Sequence, residues 1–190
     1  RRMQLFDDAW IIVTADHGEM LGEHGVFGHP GAVYQQAVHI PMIVKPPLGE
    51  GVPGRHGDWV QLVDLFPLML DAARVEIPEG IQGARPPAID HPIVIESRTL
   101  TDVNEGGDWF AIIDGDWKYA WNSYGNHMLF RLSDDPGEQR NLFIQYRERA
   151  RAMGNELHTY LASLPQPDVQ APAQIDQETR ATLKSLGYLK

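Results

Sequence analysis

The sequence predicts an α/β chain in two parts: a mixed strand-and-helix region over residues 1–90, and a smaller region over 91–190 built from an antiparallel sheet and a packed helix. Three observations predict it. The run WIIVTA (residues 10–15) has the continuous β-branched character of a strand buried on both faces, as in a parallel sheet. Leu65, Phe66, Met69, Leu70 and Ala73 recur at the spacing of one buried helix face. Residues 75–92, VEIPEGIQGARPPAIDHP, are dense in proline and glycine, and short strand-like runs follow them.

In chain order, HIPMIVK (39–45) reads as a second strand, with Pro41 suited to its first residues or to an edge. A loop rich in Gly and Pro leads to the helix of residues 65–73, with Asp64 as its expected N-cap and Pro67 tolerated in the first turn. That helix is expected to cover the sheet. In the second part, strands are expected over 93–96, 109–114, 118–121 and 128–132, with Asp114-Gly115 as the hairpin signal within WFAIIDGDWKYAW. The aromatics Trp109, Phe110, Trp117, Tyr119 and Trp121 read as packing of that hairpin against a helix. SDDPGEQRN lacks the regular oxygen spacing of an EF-hand loop and reads as a turn at Pro136-Gly137, with Asn141 capping the next helix. Apolar residues at Leu142, Tyr146, Ala150, Met153, Leu157, Leu161 and Leu164 predict that helix. The linker PQPDVQAPAQ and a last helix over 176–186, closed by Gly187, complete the chain.

The 190 residues can bury a core for one domain or for parts of two. A net charge of −10 argues against nucleic acid or an anionic membrane surface as partner. It leaves room for a small anionic substrate, because a bound metal ion inverts the field within one pocket. Cysteine is absent, which excludes disulfide and thiolate chemistry from these residues. No stretch approaches a membrane span, and RRMQLFDDAW lacks the apolar region of a signal peptide, as if the sequence started mid-protein.

The densest chemistry is TADHGEMLGEHGVFGH (14–29), directly after the first strand. Loops at strand C-termini are where α/β sheets bind ligands. Asp16 and His17 form a natural metal pair, a hard carboxylate oxygen beside a borderline imidazole nitrogen, and Gly18 permits close approach. His24 and His29 lie among Gly22, Gly25, Gly28 and Gly31, so the loop can fold back and aim imidazoles at an oxyanion or a leaving group. His24 reads equally as a solvated or capping residue, and Glu19 and Glu23 equally as surface charge. The order of these residues is not the HExxH of zinc proteases.

The stretch VTADHGEMLGEHGVFGHPGAVYQQAVHIPMIV closely resembles the C-terminal metal-binding segment of sulfatases, members of the alkaline-phosphatase superfamily, where a strand ends in Ser/Thr-x-Asp-His/Asn-Gly-Glu. The resemblance continues, in the family's order, through DWVQLVDLFPLMLDAARVEIP, GDWKYAW, LFRLSDDPGEQRNLF and LKSLGYL. It implies the C-terminal part of an alkaline-phosphatase-like mixed-sheet sandwich over 1–90 and a C-terminal subdomain over 91–190. Asp16 and His17 become ligands of a divalent cation, calcium in most sulfatases, with manganese a competitor because His17 stands where many have asparagine. His29 falls near the residue that contacts the sulfate and the leaving-group oxygen, with His24 a second substrate contact. His39 stands where arginine is common.

The formylglycine motif Cys/Ser-x-Pro-x-Arg is absent, and Asp7-Asp8 precedes its strand rather than following one. The resemblance therefore implies a missing N-terminal half that supplies the formylglycine, and exposed apolar strand edges where that half would pack. The implied substrate is a small-molecule or carbohydrate sulfate ester, in a periplasmic, secreted or lysosomal setting. The alternatives are a phosphonate or phosphate monoester hydrolase of the same superfamily, and an inactive fragment or binding module.

Overall fold

The computed structural model describes residues 5–29, 31, 33–51, 53–98, 106–165 and 176–185. In chain order its elements are α1 (Leu5–Asp8), β1 (Ile11–Thr14), β2 (Met20–Leu21), β3 (Phe27–Gly28), α2 (Gln35–Val38), β4 (Met42–Lys45), α3 (Leu65–Ala72), β5 (Ile93–Ser97), β6 (Trp109–Asp114), β7 (Trp117–Asn122), β8 (Met128–Arg131), α4 (Arg147–Ser163) and α5 (Gln177–Ser185). Two compact units result, Arg1–Gly18 with Val38–Ile93, and Glu19–Ala37 with Val94–Lys190. Segment 19–37, which the sequence reading leaves in the first part, is grouped with the second unit.

In the first unit β1 and β4 pair antiparallel, Ile11 opposite Lys45 and Thr14 opposite Met42. The expectation of a parallel strand buried on both faces is corrected here: β4 is the one neighbour of β1 among the described residues, and Val13 is 51% exposed. β-branched residues report fitness for a pleated surface, not how much of it is covered. Ile43 and Val44 of β4 are exposed as well. Lys45 ties α1 to this ribbon by donating from Nζ to the carbonyls of Phe6 and, at 3.0 Å, Ala9.

Ahead of α3, a 3₁₀ turn (Leu62–Asp64) starts from Gln61, whose N–H donates to Asp64 Oδ2 at 2.8 Å. Asp64 stands at the N-cap position of α3, as expected, but its side chain makes no capping bond there and instead closes the preceding turn, of which it is the third residue. Its carboxylate is fully buried and its Oδ1 accepts from Ala84 N at 2.8 Å and His91 Nε2 at 2.7 Å. In α3 Pro67 and Leu68 are buried and Leu65 and Leu70 half-buried, while Phe66 and Met69 are exposed, so the expected face is covered only in part.

Burial disfavours the charged form of His91, but the Asp64 hydrogen bond, the Pro92 carbonyl and the charges of Asp64 and Asp90 outweigh it and raise its pKa above 6.5. A raised folded-state pKa stabilises fully below pH 6.5 and less as pH climbs through the folded value. The difference in melting temperature between the parent and His91→Gln is expected to be largest below pH 6.5 and to shrink above it. A difference that grows with pH would contradict this.

In the second unit β5, β6, β7 and β8 form a sheet in that order. β6 pairs antiparallel with β7 and β7 with β8. Asp114 lies opposite Trp117, so the turn residues are Gly115 and Asp116, one position later than the Asp-Gly signal suggests. Gly115 takes φ 55 at the first turn position, the place for glycine in a type II′ hairpin. On one face Phe110, Ile112, Tyr119 and Leu129 pack with Leu142 and with Ala150, Met153 and Leu157 of α4. Gly154 gives α4 its close approach: a Cβ there would meet the Tyr119 ring at 3.3 Å.

On the other face Ala111 and Ala120 pack with Val33 from segment 19–37. Cover on both faces explains why β6 reads as WFAII, a nearly unbroken apolar run. Asn141 does not cap α4: its Oδ1 accepts from Leu129 N and Phe143 N, each at 3.0 Å, and so closes the edge of β8, while α4 begins after Tyr146. Gly187, the expected cap of the last helix, lies outside the described residues.

Candidate active site

Two residues beyond β1, Asp16 folds its carboxylate back on the chain, Oδ1 accepting from His17 N at 3.0 Å. His17 Nδ1 lies 2.8 Å from the Gly18 carbonyl. A carbonyl only accepts, so Nδ1 carries the proton and the ring's lone pair is on Nε2. Nε2 is 3.8 Å from Asp16 Oδ2. These two atoms could hold one divalent cation between them, and a backbone carbonyl on the far nitrogen is the usual support for a ligating histidine. The expected ligand pair is thus brought together within the first unit, with a donor set that fits a divalent metal.

Residues 19–37 carry the remaining candidates, in the second unit. β2 and β3 form a small hairpin, Met20 opposite Gly28. The turn between them needs Gly22 at φ 119, His24 at φ 53 and Gly25 at φ 73. A non-glycine residue in the left-handed region is uncommon and must be held there. Glu23 Oε2 accepts from Leu21 N at 2.6 Å. The backbone N–H groups of Glu23 and Leu21 hold its carboxyl below the usual range, which makes it a turn residue.

His29 directly follows β3, with Nδ1 3.3 Å from Glu19 Oε2. The carboxylate accepts, so this contact places the His29 proton on Nδ1 and gives Glu19 an orienting role. His24 is engaged elsewhere: Nε2 donates to the Gly137 carbonyl at 3.1 Å and the ring stacks on Tyr34, 3.8 Å between centroids and 4° between planes.

The structure adds residues that the sequence reading did not single out. Lys118 of β7 is fully buried, its Nζ 2.7 Å from Glu138 Oε1 and donating to the Val33 carbonyl. Glu138, also buried and at φ 55, accepts from Gln35 N at 2.5 Å through Oε2. Burial pushes the Lys118 ammonium below its usual pKa, and Glu138 opposes the shift. Tyr34 donates from its hydroxyl to Met128 Sδ at 3.4 Å; burial and then the Glu138 charge raise its pKa. The available signal was the lysine inside WKYAW, a long cation in the middle of an otherwise apolar strand.

Residues 1–75 match the family model described as Sulfatase. The chain is 29% identical over 170 residues to the uncharacterized sulfatase YidJ of Escherichia coli K12, covering 85% of this chain and 34% of that protein. It is 26% identical over 178 residues to arylsulfatase K of Homo sapiens, covering 84% of this chain and 32% of that protein. The chain thus spans about a third of the length of these relatives.

Among solved structures, BT4656 in complex with its substrate D-glucosamine-2-N,6-O-disulfate aligns with a TM-score of 0.69 at 22% identity, over 88% of this chain and 37% of that one. The phosphonate monoester hydrolase of Agrobacterium radiobacter aligns with a TM-score of 0.70 at 20% identity, over 93% of this chain and 39% of that one. The fold is that of alkaline-phosphatase-like sulfatases. A sulfatase family model over residues 1–75 and relatives at 26–29% identity make the chain similar to the sulfatases.

Proposed function

We propose that this chain is the C-terminal part of a sulfuric ester hydrolase acting on a carbohydrate sulfate ester, and that it supplies metal ligands and a substrate contact but not the nucleophile. The observation that carries the reading is the Asp16–His17 pair at the end of β1, one oxygen and one imidazole nitrogen 3.8 Å apart within the segment matched by the sulfatase model. Asp16 and His17 would hold and orient a divalent cation, calcium or manganese, which would offset negative charge on the sulfate oxygens.

His29, its Nδ1 proton held by Glu19, contacts the sulfate and the leaving-group oxygen and exchanges a proton at Nε2. No covalent step is assigned to these residues, because the formylglycine of the family has no source motif in this sequence. The sugar is suggested by BT4656, whose substrate is a sulfated glucosamine.

In the complete protein, Asp16→Ala is expected to lower kcat/KM for 4-nitrophenyl sulfate by about 10³-fold or more, since charge stabilisation by a catalytic metal is worth several kcal/mol. An unchanged rate would overturn the assignment. A second reading, hydrolysis of phosphonate monoesters, is favoured by the alignment with the Agrobacterium radiobacter enzyme. Turnover of an aryl sulfate against a phosphonate monoester, measured on the same preparation, separates the two.

A further inference from the structure

We propose that Lys118 and Glu138 are positioning residues that clamp the histidine loop from both sides and hold His29 in place, with His24 as part of the clamp rather than a substrate contact. The proposal rests on the reading of His29 given above. One short turn engages both arms of the loop. On the leading arm, His24 donates to the Gly137 carbonyl. On the returning arm, Glu138 takes the Gln35 amide at 2.5 Å, and Lys118, 2.7 Å from Glu138, takes the Val33 carbonyl. The His24 ring stacked on Tyr34 joins the two arms to each other. His29 lies between the anchored positions.

The turn is itself fixed, Asp135 accepting from Gln139 N at 3.0 Å and Arg140 N at 2.8 Å. Two fully buried charges are a costly way to fasten a backbone when apolar contacts would serve stability as well. What they add here is direction: one ammonium and one carboxylate reach a specific carbonyl and a specific amide of the loop. The left-handed backbone of His24 and Glu138 fits the same role, since each residue is turned to present one group across the clamp.

The test uses the complete protein and two variants, Lys118→Met/Glu138→Met and Glu138→Gln. Three quantities are measured: melting temperature, amide exchange in the β2–β3 hairpin, and kcat and KM for 4-nitrophenyl sulfate. The amides of Gly22, Gly25 and Val26 donate to carbonyls within the hairpin itself, so their exchange reports the loop rather than the bonds removed. In the double variant, melting is expected to stay near the parent because an apolar pair fills the space. Hairpin exchange should nonetheless rise at least tenfold, and kcat should fall at least tenfold with a smaller change in KM.

Activity returning in step with melting temperature, or hairpin exchange unchanged, overturns the proposal. If the double variant does not fold, Glu138→Gln decides by the same two measures, since glutamine keeps the shape and removes the charge. If the parent does not hydrolyse the sulfate, the functional reading fails and the exchange measurement still decides the clamp.

Discussion

Lys118→Met alone is expected to cost the folded protein about 3–5 kcal/mol, because it leaves the buried Glu138 carboxylate without its cation. For a chain of this size that is a fall in melting temperature of roughly 6–20 °C. The coupled variant is the informative comparison. With Glu138 also replaced by methionine, both desolvation costs disappear and most of the loss should be regained, so the double-mutant cycle should show a large favourable coupling. Additive losses would mean that the two charges do not depend on each other, contrary to their 2.7 Å contact. Denaturant titration of the three variants gives the cycle directly.

Gly83→Ala is expected to be as damaging for a different reason. An added Cβ would lie 2.1 Å from the Val63 carbonyl oxygen, 2.6 Å from its carbon and 3.1 Å from Asp64 N. All three are backbone atoms, so no rotamer change relieves the overlap. The chain at residue 83 must move away, and the Ala84 N–H then leaves the buried Asp64 carboxylate that it meets at 2.8 Å. Strain and a lost hydrogen bond to a buried charge together amount to about 3 kcal/mol or more. Gly57→Ala is the control: its Cβ meets nothing within 4 Å, and a change of no more than about 0.5 kcal/mol is expected. Equal melting of the two variants would refute the explanation.

Local patterns were readable in the sequence where neighbours along the chain decide the structure. The strands of the second unit, their hairpin and the buried side of α4 follow from apolar periodicity and one glycine turn. Distant partners were not readable. Periodicity put Phe66 and Met69 inside, where the structure leaves them exposed, and nothing local announces that Asp64 will be bound by an amide 20 residues on and an imidazole 27 residues on. Asn141 has the chemistry of a cap, and only the proximity of the edge of β8 turns it to Leu129.

At the candidate site, Asp16 and His17 were legible because they are adjacent and close a strand. Glu19 as the partner of His29 was not, being ten residues away in a loop whose path depends on its glycines. Lys118 and Glu138 look like ordinary surface charges one by one; only their 20-residue separation closing to one contact makes them a feature.

The clamp also bears on synthesis. Val33 is made 85 residues before Lys118, and Gln35 is made 103 residues before Glu138. At about 5–20 residues per second on the ribosome, the histidine loop waits roughly 4–20 s for the strand and turn that fasten it. Through that interval Val33, which ends buried against Ala111 and Ala120, has no sheet to cover it. The loop is therefore a segment that a nascent chain leaves unfastened for that time, and slowing translation between residues 37 and 118 should lower the yield of soluble protein.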